Sequence, residues 1–99
     1  MNYQLRLAPH AADDLQRLFE FLAEQDLNAA KRMRLAIGKA FEFLQMFPFA
    51  CRKATSEHPF LREMVIEFGH AGYVALFEIE ESYTITVLAV RHQRETDFH

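Results

Sequence analysis

The segment LREMVIEFGHAGYVALFEIEESYTITVLAVRHQRE, residues 61–95, decides the fold of this chain. It contains three runs rich in β-branched, aromatic and other apolar residues, at 61–68, 73–80 and 83–91. The connectors between these runs, 69–72 and 80–82, have the length of turns. The segment therefore predicts a meander of three antiparallel strands.

The N-terminal half changes from a strand pattern to a helical one. Residues 3–7 alternate apolar and polar side chains, which is typical of a half-buried strand. Apolar residues then recur with helical spacing from Pro9 to about residue 25 and from about residue 28 to Phe47. Asp13 and Asp14 are predicted to lie in the first turns, where carboxylates suit the helix dipole.

The predicted order of elements is β-α-α-β-β-β, an α+β fold. Residues 49–59 have no clear period and are predicted to form a loop. Two helices joined by so short a break should form an antiparallel hairpin that covers one face of a mainly antiparallel sheet. The helices separate the first strand from the second in sequence, so the first strand should pair elsewhere in the sheet.

Length and composition narrow the class of protein. A chain of 99 residues that is 51% apolar predicts one globular domain, residues 1–99. The net charge of −3 argues against a general nucleic-acid coat. One cysteine, Cys51, cannot form an internal disulfide, and neither a signal peptide nor a membrane-length apolar run is present. These features predict a cytoplasmic protein that does not bind membranes.

The helices carry more apolar surface than one sheet face needs. Ala36, Phe43 and Phe47 widen the apolar arc of the second helix to roughly 160°, against roughly 100° for a single packing face. Phe21 lies roughly 110° from the centre of the apolar stripe on the first helix. Either the long loop at 49–60 folds over this excess, or the excess forms a groove for a partner protein.

Cationic side chains mark the ends of two predicted strands. Arg62 opens the second strand, and Arg91, His92 and Arg94 close the fourth. In a meander these two strands run parallel to each other, so the two groups are expected at opposite edges unless the register or a bend brings them together.

Two interpretations of these cations stay open. Arginines and a histidine provide the cations, acid and base that phosphodiester cleavage requires. Alternatively, the side chains are ordinary polar residues at strand ends, paired with Glu63, Glu67 or Glu95. Arg52 and Lys53 lie on the predicted loop, which can reach either group.

The sequence gives little support for a metal site, a nucleotide-binding loop or a catalytic nucleophile. The five histidines lack metal-ligand spacing, and the chain has neither a glycine-rich phosphate loop nor a nucleophile elbow. We therefore expect no metal and no cofactor. The carboxylate pair Glu80 and Glu81 falls on a turn and is predicted to be solvated.

The sequence resembles the RelE/ParE superfamily of type II toxin–antitoxin toxins over nearly its whole length. The likeness rests on the order and spacing of "LAPHAADDL", "LREMVIEF", "GYVALFEIEE" and "YTITVLAVRHQRE". Arg62 before a strand, the start of the next strand at Tyr73-Val74, and Val90-Arg91-His92 near the end match the sparse pattern of the family.

The resemblance implies a toxin that a smaller antitoxin holds inactive by laying a segment over an apolar groove. Phe21, Ala36, Phe43 and Phe47 are the residues that we expect to bind the antitoxin. The resemblance also implies that the complex binds its own operator through the antitoxin, so direct DNA binding by the toxin alone is not expected.

The resemblance is compatible with two mechanisms of toxicity and with a protein that is not toxic. RelE-like members cut messenger RNA on the ribosome with a cluster of basic residues and a catalytic histidine or tyrosine, and here Arg62, Arg91 and His92 match such a cluster. ParE-like members inhibit DNA gyrase by protein contact, without catalysis. A third type of member retains only antitoxin binding and is not toxic.

The sequence favours the gyrase inhibitor. The RelE-like nucleases have a tyrosine near the C-terminus, and this sequence has Phe98, after Asp97, in its place. The net charge is also acidic. The side chains that we expect to contact the target are basic and are drawn from the loop and the strand ends: Arg52, Lys53, Arg62, Arg91, His92 and Arg94.

Overall fold

The structure of the protein is a computed structural model, which describes residues 2–94. Glu95, Asp97 and Phe98, which enter the sequence predictions, lie outside the described residues. Within residues 2–94, eight elements follow one another: β1 Gln4–Leu7, α1 Pro9–Gln25, α2 Leu27–Met46, a 3₁₀ turn Pro48–Ala50, β2 Arg52–Lys53, β3 Leu61–Phe68, β4 Ala71–Glu80 and β5 Thr84–His92.

The five strands form one mixed sheet in the order β1-β5-β4-β3-β2. The predicted meander is confirmed, since β4 pairs antiparallel with both β3 and β5. β1 pairs with β5 and runs parallel to it, so the first strand does pair away from β2 and β3. The prediction of a plain loop at 49–59 is wrong, because β2 lies there and pairs with β3. Two residues are too few to show a period of two.

The two helices form the predicted hairpin and pack on one face of the sheet. Only Asp26 separates them, and its carboxylate caps α2 by accepting a hydrogen bond from the backbone N–H of Ala29 at 3.0 Å. α1 packs against β5 and α2 against β3. The core between helices and sheet centres on large residues that are almost fully buried, including Met33, Leu44, Phe77 and Val87.

A β-bulge in β5 interrupts its pairing with β4. Leu76 lies opposite Ala89 but Phe77 lies opposite Val87, so Leu88 is the extra residue. Ile85 and Val87 face the helices before the bulge, and Val90 belongs to the same core after it.

The carboxylate of Asp14 stabilises the chain next to this bulge. Oδ2 of Asp14 accepts a hydrogen bond of 2.9 Å from the backbone N–H of Val90, and the residue is only 4% exposed. α1 begins at Pro9, so Asp14 lies in its second turn. Asp13 and Asp14 are the fifth and sixth residues of α1 and so lie within its first two turns, as predicted, and the carboxylate of Asp14 also joins the helix to the sheet.

No helix in the part of the chain that the structure describes is long and apolar enough to span a membrane.

Candidate functional site

Arg62 is bound to the backbone of its own surroundings. Its side chain lies on the helix-facing side of the sheet, because Arg62 pairs with the core residue Phe77. The guanidinium donates hydrogen bonds to the carbonyls of Pro59 at 2.7 Å, Cys51 at 2.8 Å and Phe49 at 3.3 Å. It also lies 5.3 Å from the ring centroid of Phe49. Arg62 thus holds both ends of the segment between α2 and β3.

Replacing Arg62 with alanine should therefore lower stability. Hydrogen bonds from a charged group contribute more to stability than those between neutral groups. Because the Arg62 side chain is only half-buried, we expect a loss of about 1.5 kcal/mol in the free energy of unfolding. Urea denaturation measures this loss. Arg62→Lys keeps the charge without the planar fork and should recover less than half of it. A stable Arg62→Ala variant that fails to act on its target would instead identify Arg62 as a contact residue.

The other cations lie at the far end of β5. Arg91 pairs with Val74, which alternates with the core residues Tyr73 and Ala75, so the Arg91 side chain lies on the outer face of the sheet. Its Nη1 donates to the carbonyls of His92 at 3.4 Å and Gln93 at 3.5 Å. Arg91 is thus positioned along the chain that follows β5.

His92 lies on the opposite face from Arg91, beside Tyr73, which matched the family pattern but was not predicted as a site residue. The rings of His92 and Tyr73 meet edge to face, with centroids 5.6 Å apart. Burial raises the pKa of Tyr73, so its hydroxyl stays protonated at neutral pH. The backbone N–H of Arg94 donates a hydrogen bond of 3.1 Å to Nδ1 of His92. A neutral His92 therefore carries its proton on Nε2, whereas a general base must present a bare nitrogen.

The structure does not bring Arg62 together with Arg91 and His92. Arg62 lies opposite Phe77 and His92 lies opposite Tyr73. Arg62 and His92 are therefore offset by four residues along β4, or roughly 13 Å. β4 lies between the two strands and adds two strand spacings, roughly 10 Å in total. Arg91 also points to the other face, so the three side chains do not form one cluster.

Arg52 and Lys53 lie on the edge strand β2, away from the end of β5. Arg52 pairs across the sheet with Glu63, with 3.1 Å between Nε and Oε1. Glu63 was a predicted partner for a strand-end arginine, and it pairs with Arg52 rather than with Arg62. Lys53 is exposed.

Phe43 and Phe47 form an exposed apolar patch on α2, here called the phenylalanine surface. The two side chains are 40% and 53% exposed, and their ring centroids are 5.6 Å apart. Phe43 also lines a shallow cleft with Met64 and Val65 of β3. Ala36, two helical turns before Phe43, is half-buried on the same side of α2. The loop at 49–60 does not cover this surface.

Phe21, the remaining predicted antitoxin residue, lies elsewhere. It is 65% exposed on α1. Phe19 lines the seam between α1 and α2 with Met33 and Ile37. Residues two apart on a helix point roughly 200° apart, so Phe21 faces away from that seam. The sequence placed all four apolar residues in one groove, and the structure divides them between two sides of the hairpin.

Cys51 is not an activated nucleophile. Burial raises the pKa of its thiol, and the neighbouring Arg62 guanidinium offsets only part of this effect. The side chain therefore remains a thiol at neutral pH. Within residues 2–94, no group of three or more histidine, cysteine, aspartate or glutamate side chains is arranged to hold a metal ion.

Glu80 is not merely solvated, as the sequence predicted, but joins three strands. It accepts a hydrogen bond from the Thr86 hydroxyl on β5 and forms an ion pair with Arg6 on β1, with 3.1 Å between Nη2 and Oε2. The Thr86 hydrogen bond is the main cause of a pKa below the ordinary 4.5, and Arg6 lowers it further.

The stability due to this network should depend on pH. A carboxyl whose pKa is lowered by folding stabilises the folded state above pH 4.5, and this contribution is lost as the pH falls through the lowered pKa. Thr86→Val should therefore have a lower urea midpoint than the wild type at pH 7, and the difference should shrink towards pH 3. Thr86→Ser keeps the hydroxyl and serves as the control. A difference that stays constant from pH 7 to pH 3 would contradict the role of Glu80.

Comparison with known proteins agrees with this architecture. Residues 5–96 match the sequence profile of the family described as "ParE toxin of type II toxin-antitoxin system, parDE". Comparison with curated protein sequences gives no match.

Two solved structures show the same fold. A chain of the RelBE2 toxin–antitoxin complex from Mycobacterium tuberculosis is similar with a TM-score of 0.59 and 20% identity, over 94% of this chain and 100% of that one. A chain of the chromosomal ParDE TA system from P. aeruginosa is similar with a TM-score of 0.66 and 21% identity, over 91% and 95%.

The family match covers nearly all of the two-helix, five-stranded fold described above. The two solved structures described above come from toxin–antitoxin systems. The chain therefore belongs to the ParE toxin family of type II toxin–antitoxin systems.

Proposed function

We propose that this toxin inhibits DNA gyrase by direct protein contact and that a cognate antitoxin neutralises it. The observation that carries this proposal is the separation of Arg62 from Arg91 and His92, because a nuclease needs its cations and its acid or base around one phosphodiester. The guanidinium of Arg62 already donates hydrogen bonds to three backbone carbonyls. The same side chains are well suited to a polar contact surface.

The end of β5 provides that contact surface in this proposal. Arg94 is exposed, and Arg91 and His92 are half-buried on opposite faces of the same strand end. The basic end of β5 would approach an acidic region of the target, with contributions from Arg52 and Lys53 if the target extends to the other edge of the sheet. Contacts of this kind require charge and shape, but no proton transfer.

The phenylalanine surface is the antitoxin site in this proposal. Exposed aromatic pairs of this size are typical of protein interfaces, and an apolar segment laid over them would remove both rings from water. Ala36 extends the surface along α2, and its small side chain allows close approach of a partner backbone. Phe21 would contact only an antitoxin that also reaches the far side of α1.

A supercoiling assay with purified gyrase and antitoxin-free protein tests the proposed target. We expect lost supercoiling together with trapped cleaved DNA, and His92→Ala should raise the inhibitory concentration only slightly, because it removes one contact among several. Circular dichroism confirms that each preparation is folded. In a ribosome-dependent nuclease, by contrast, His92→Ala should reduce cleavage about 10²–10⁴-fold.

Three results would overturn this proposal. If the protein is folded and has no effect on gyrase, gyrase is not its target. Cleavage of messenger RNA on translating ribosomes that depends on His92 would establish the RelE-like alternative in its place. Folded protein that affects neither gyrase nor translation but still binds its antitoxin would be the non-toxic member of the family.

A further inference from the structure

The edge of the sheet at β3 is only partly covered. β2 pairs with two of the eight residues of β3, Arg62 and Glu63. Positions 64–68 therefore have no neighbouring strand on that side, in the part of the chain that the structure describes. We call this stretch of β3 the open edge. Natural proteins usually protect such edges, because the unpaired backbone groups of an edge strand can bind another strand.

Four backbone groups of the open edge point towards the vacant position. In an antiparallel sheet, the N–H and C=O groups of successive residues point alternately to the two neighbouring strands. The carbonyl of Leu61 accepts a hydrogen bond of 2.9 Å from the backbone N–H of Ala54, on the β2 side. By alternation, the N–H and C=O groups of Val65 and Glu67 point to the same side. No hydrogen bond within residues 2–94 engages these four groups.

The shallow cleft beside Phe43, of about 270 Å³, lies along the open edge. Met64 and Val65 both line it. Successive side chains of a strand point to opposite faces of the sheet, so a cleft lined by both residues lies at the edge of β3 and not on one face. Phe43 belongs to the phenylalanine surface. The open edge is therefore continuous with the proposed antitoxin site.

The exposed side chains of the open edge are a valine and a carboxylate. Val65 is 40% exposed, and Glu67 is exposed on the same outer face. The sequence analysis named Glu67 as a possible partner for an arginine, but Glu67 forms no ion pair within residues 2–94. A second copy of β3 in antiparallel pairing would place a glutamate or a valine opposite Glu67. A strand with a basic residue at that position is favoured, because opposite charges stabilise a cross-strand pair and like charges destabilise it.

We propose that an extended segment of the antitoxin pairs with the open edge as a sixth strand of the sheet, an inference that rests on the proposed function. The segment would run antiparallel to β3, with a lysine or arginine opposite Glu67 and a β-branched or aromatic residue opposite Val65. The residue between these two would point to the helix side of the sheet, the side of Phe43. Main-chain hydrogen bonds would provide affinity, and the three side chains would provide specificity.

The first test compares amide hydrogen exchange in the free toxin and in its complex with the antitoxin encoded beside it. In the complex, the amides of Val65 and Glu67 should exchange at least about tenfold more slowly. The control is the other edge of the sheet, where the amides of Leu5 and Leu7 point away from β5 and should change much less. Equal exchange rates of Val65 and Glu67 in the two states would overturn the proposal. Protection that appears in the free toxin as its concentration rises would assign the edge to a second copy instead.

Variants of the open edge separate main-chain pairing from charge. Val65→Pro removes an N–H that faces solvent on an edge strand, a position where proline is tolerated, and should weaken antitoxin binding at least about tenfold. Glu67→Lys should weaken binding about fivefold, and the loss should shrink at high salt. Glu78→Lys is the matched control, because Glu78 is exposed on the same face but lies on the central strand β4.

Thermal denaturation checks the folding of each variant. If Val65→Pro unfolds, the charge variants and the exchange rates still decide the proposal. Wild-type affinity of a folded Val65→Pro variant would contradict main-chain pairing at the open edge. Equal affinities of Glu67→Lys and Glu78→Lys would contradict a basic residue opposite Glu67.

Phe43→Ser, on the phenylalanine surface, is the control for the proposed function. If Phe43→Ser weakens antitoxin binding and the variants of the open edge do not, the inference fails and the proposed function stands. If the wild type binds no antitoxin, both fail. If the variants of the open edge lose only gyrase inhibition, the edge binds the target and its assignment to the antitoxin is overturned.

Discussion

Gly72→Ala is expected to lower the free energy of unfolding by about 3 kcal/mol. A Cβ at this position would overlap the carbonyl oxygen of Ile66 and lie 3.1 Å from its carbonyl carbon and 3.2 Å from Cα of Glu67. All three atoms belong to the backbone of β3, the strand that pairs with β4 at this point. A flexible side chain could rotate away, but a paired strand can only separate. The clash should therefore disrupt the hairpin between β3 and β4.

Thermal and urea denaturation measure this loss. For a domain of this size each kcal/mol corresponds to about 4–8 °C in Tm, so the midpoint should fall by about 12–24 °C. Gly38→Ala is the matched control. Gly38 lies within α2 with nothing close to its Cβ position, and alanine there should raise stability by up to about 1 kcal/mol. Equal effects of the two substitutions would show that the close approach of β3 to Gly72 is not the cause.

Asp14→Ala is expected to cost about 2–3 kcal/mol, because the buried N–H of Val90 would lose its charged acceptor. No water can readily replace a carboxylate that is 4% exposed beneath a packed helix. Asp14→Asn keeps an acceptor oxygen of the same shape and should recover much of the loss. Asp13→Ala, one residue away and exposed, is the positional control.

Hydrogen exchange locates the Asp14 effect within the molecule. In Asp14→Ala the amide of Val90 should exchange much faster than in the wild type, and the amides of β3 should change less. Exchange that accelerates uniformly through the sheet would mean that Asp14 stabilises the whole fold without a particular role at the bulge.

The sequence was sufficient for those parts of the fold that depend on local pattern. Helical spacing predicted α1 with both of its bounds and α2 to within one residue at each end, and the apolar runs predicted β3 with both of its bounds. Connector lengths predicted the antiparallel order of β3, β4 and β5. Each of these features is set by residues close together in the chain, where periodicity is informative.

The remaining features depend on contacts between distant residues. The strand β2 has two residues and exists because β3 offers it a partner. Arg62 looked like a functional cation at a strand start, and its three carbonyl partners come from the preceding loop, which had no predicted shape. Phe21 was grouped with Phe43 because a helical wheel gives angles but not the position of the neighbouring helix.

The bulge at Leu88 affects the face of the sheet on which each residue at the end of β5 lies. Strict alternation from Ile85 and Val87 would point residue 91 towards the helices and residue 92 outward. The extra residue reverses this assignment, so that His92 meets Tyr73 under the helices and Arg91 lies outside. A regular strand that kept Leu88 in the alternation would exchange imidazole and guanidinium between the two faces, whereas deleting Leu88 would remove the bulge and leave both side chains on their present faces. The bulge, and not only the identity of the two residues, thus decides which side chain each face of the sheet presents at this end.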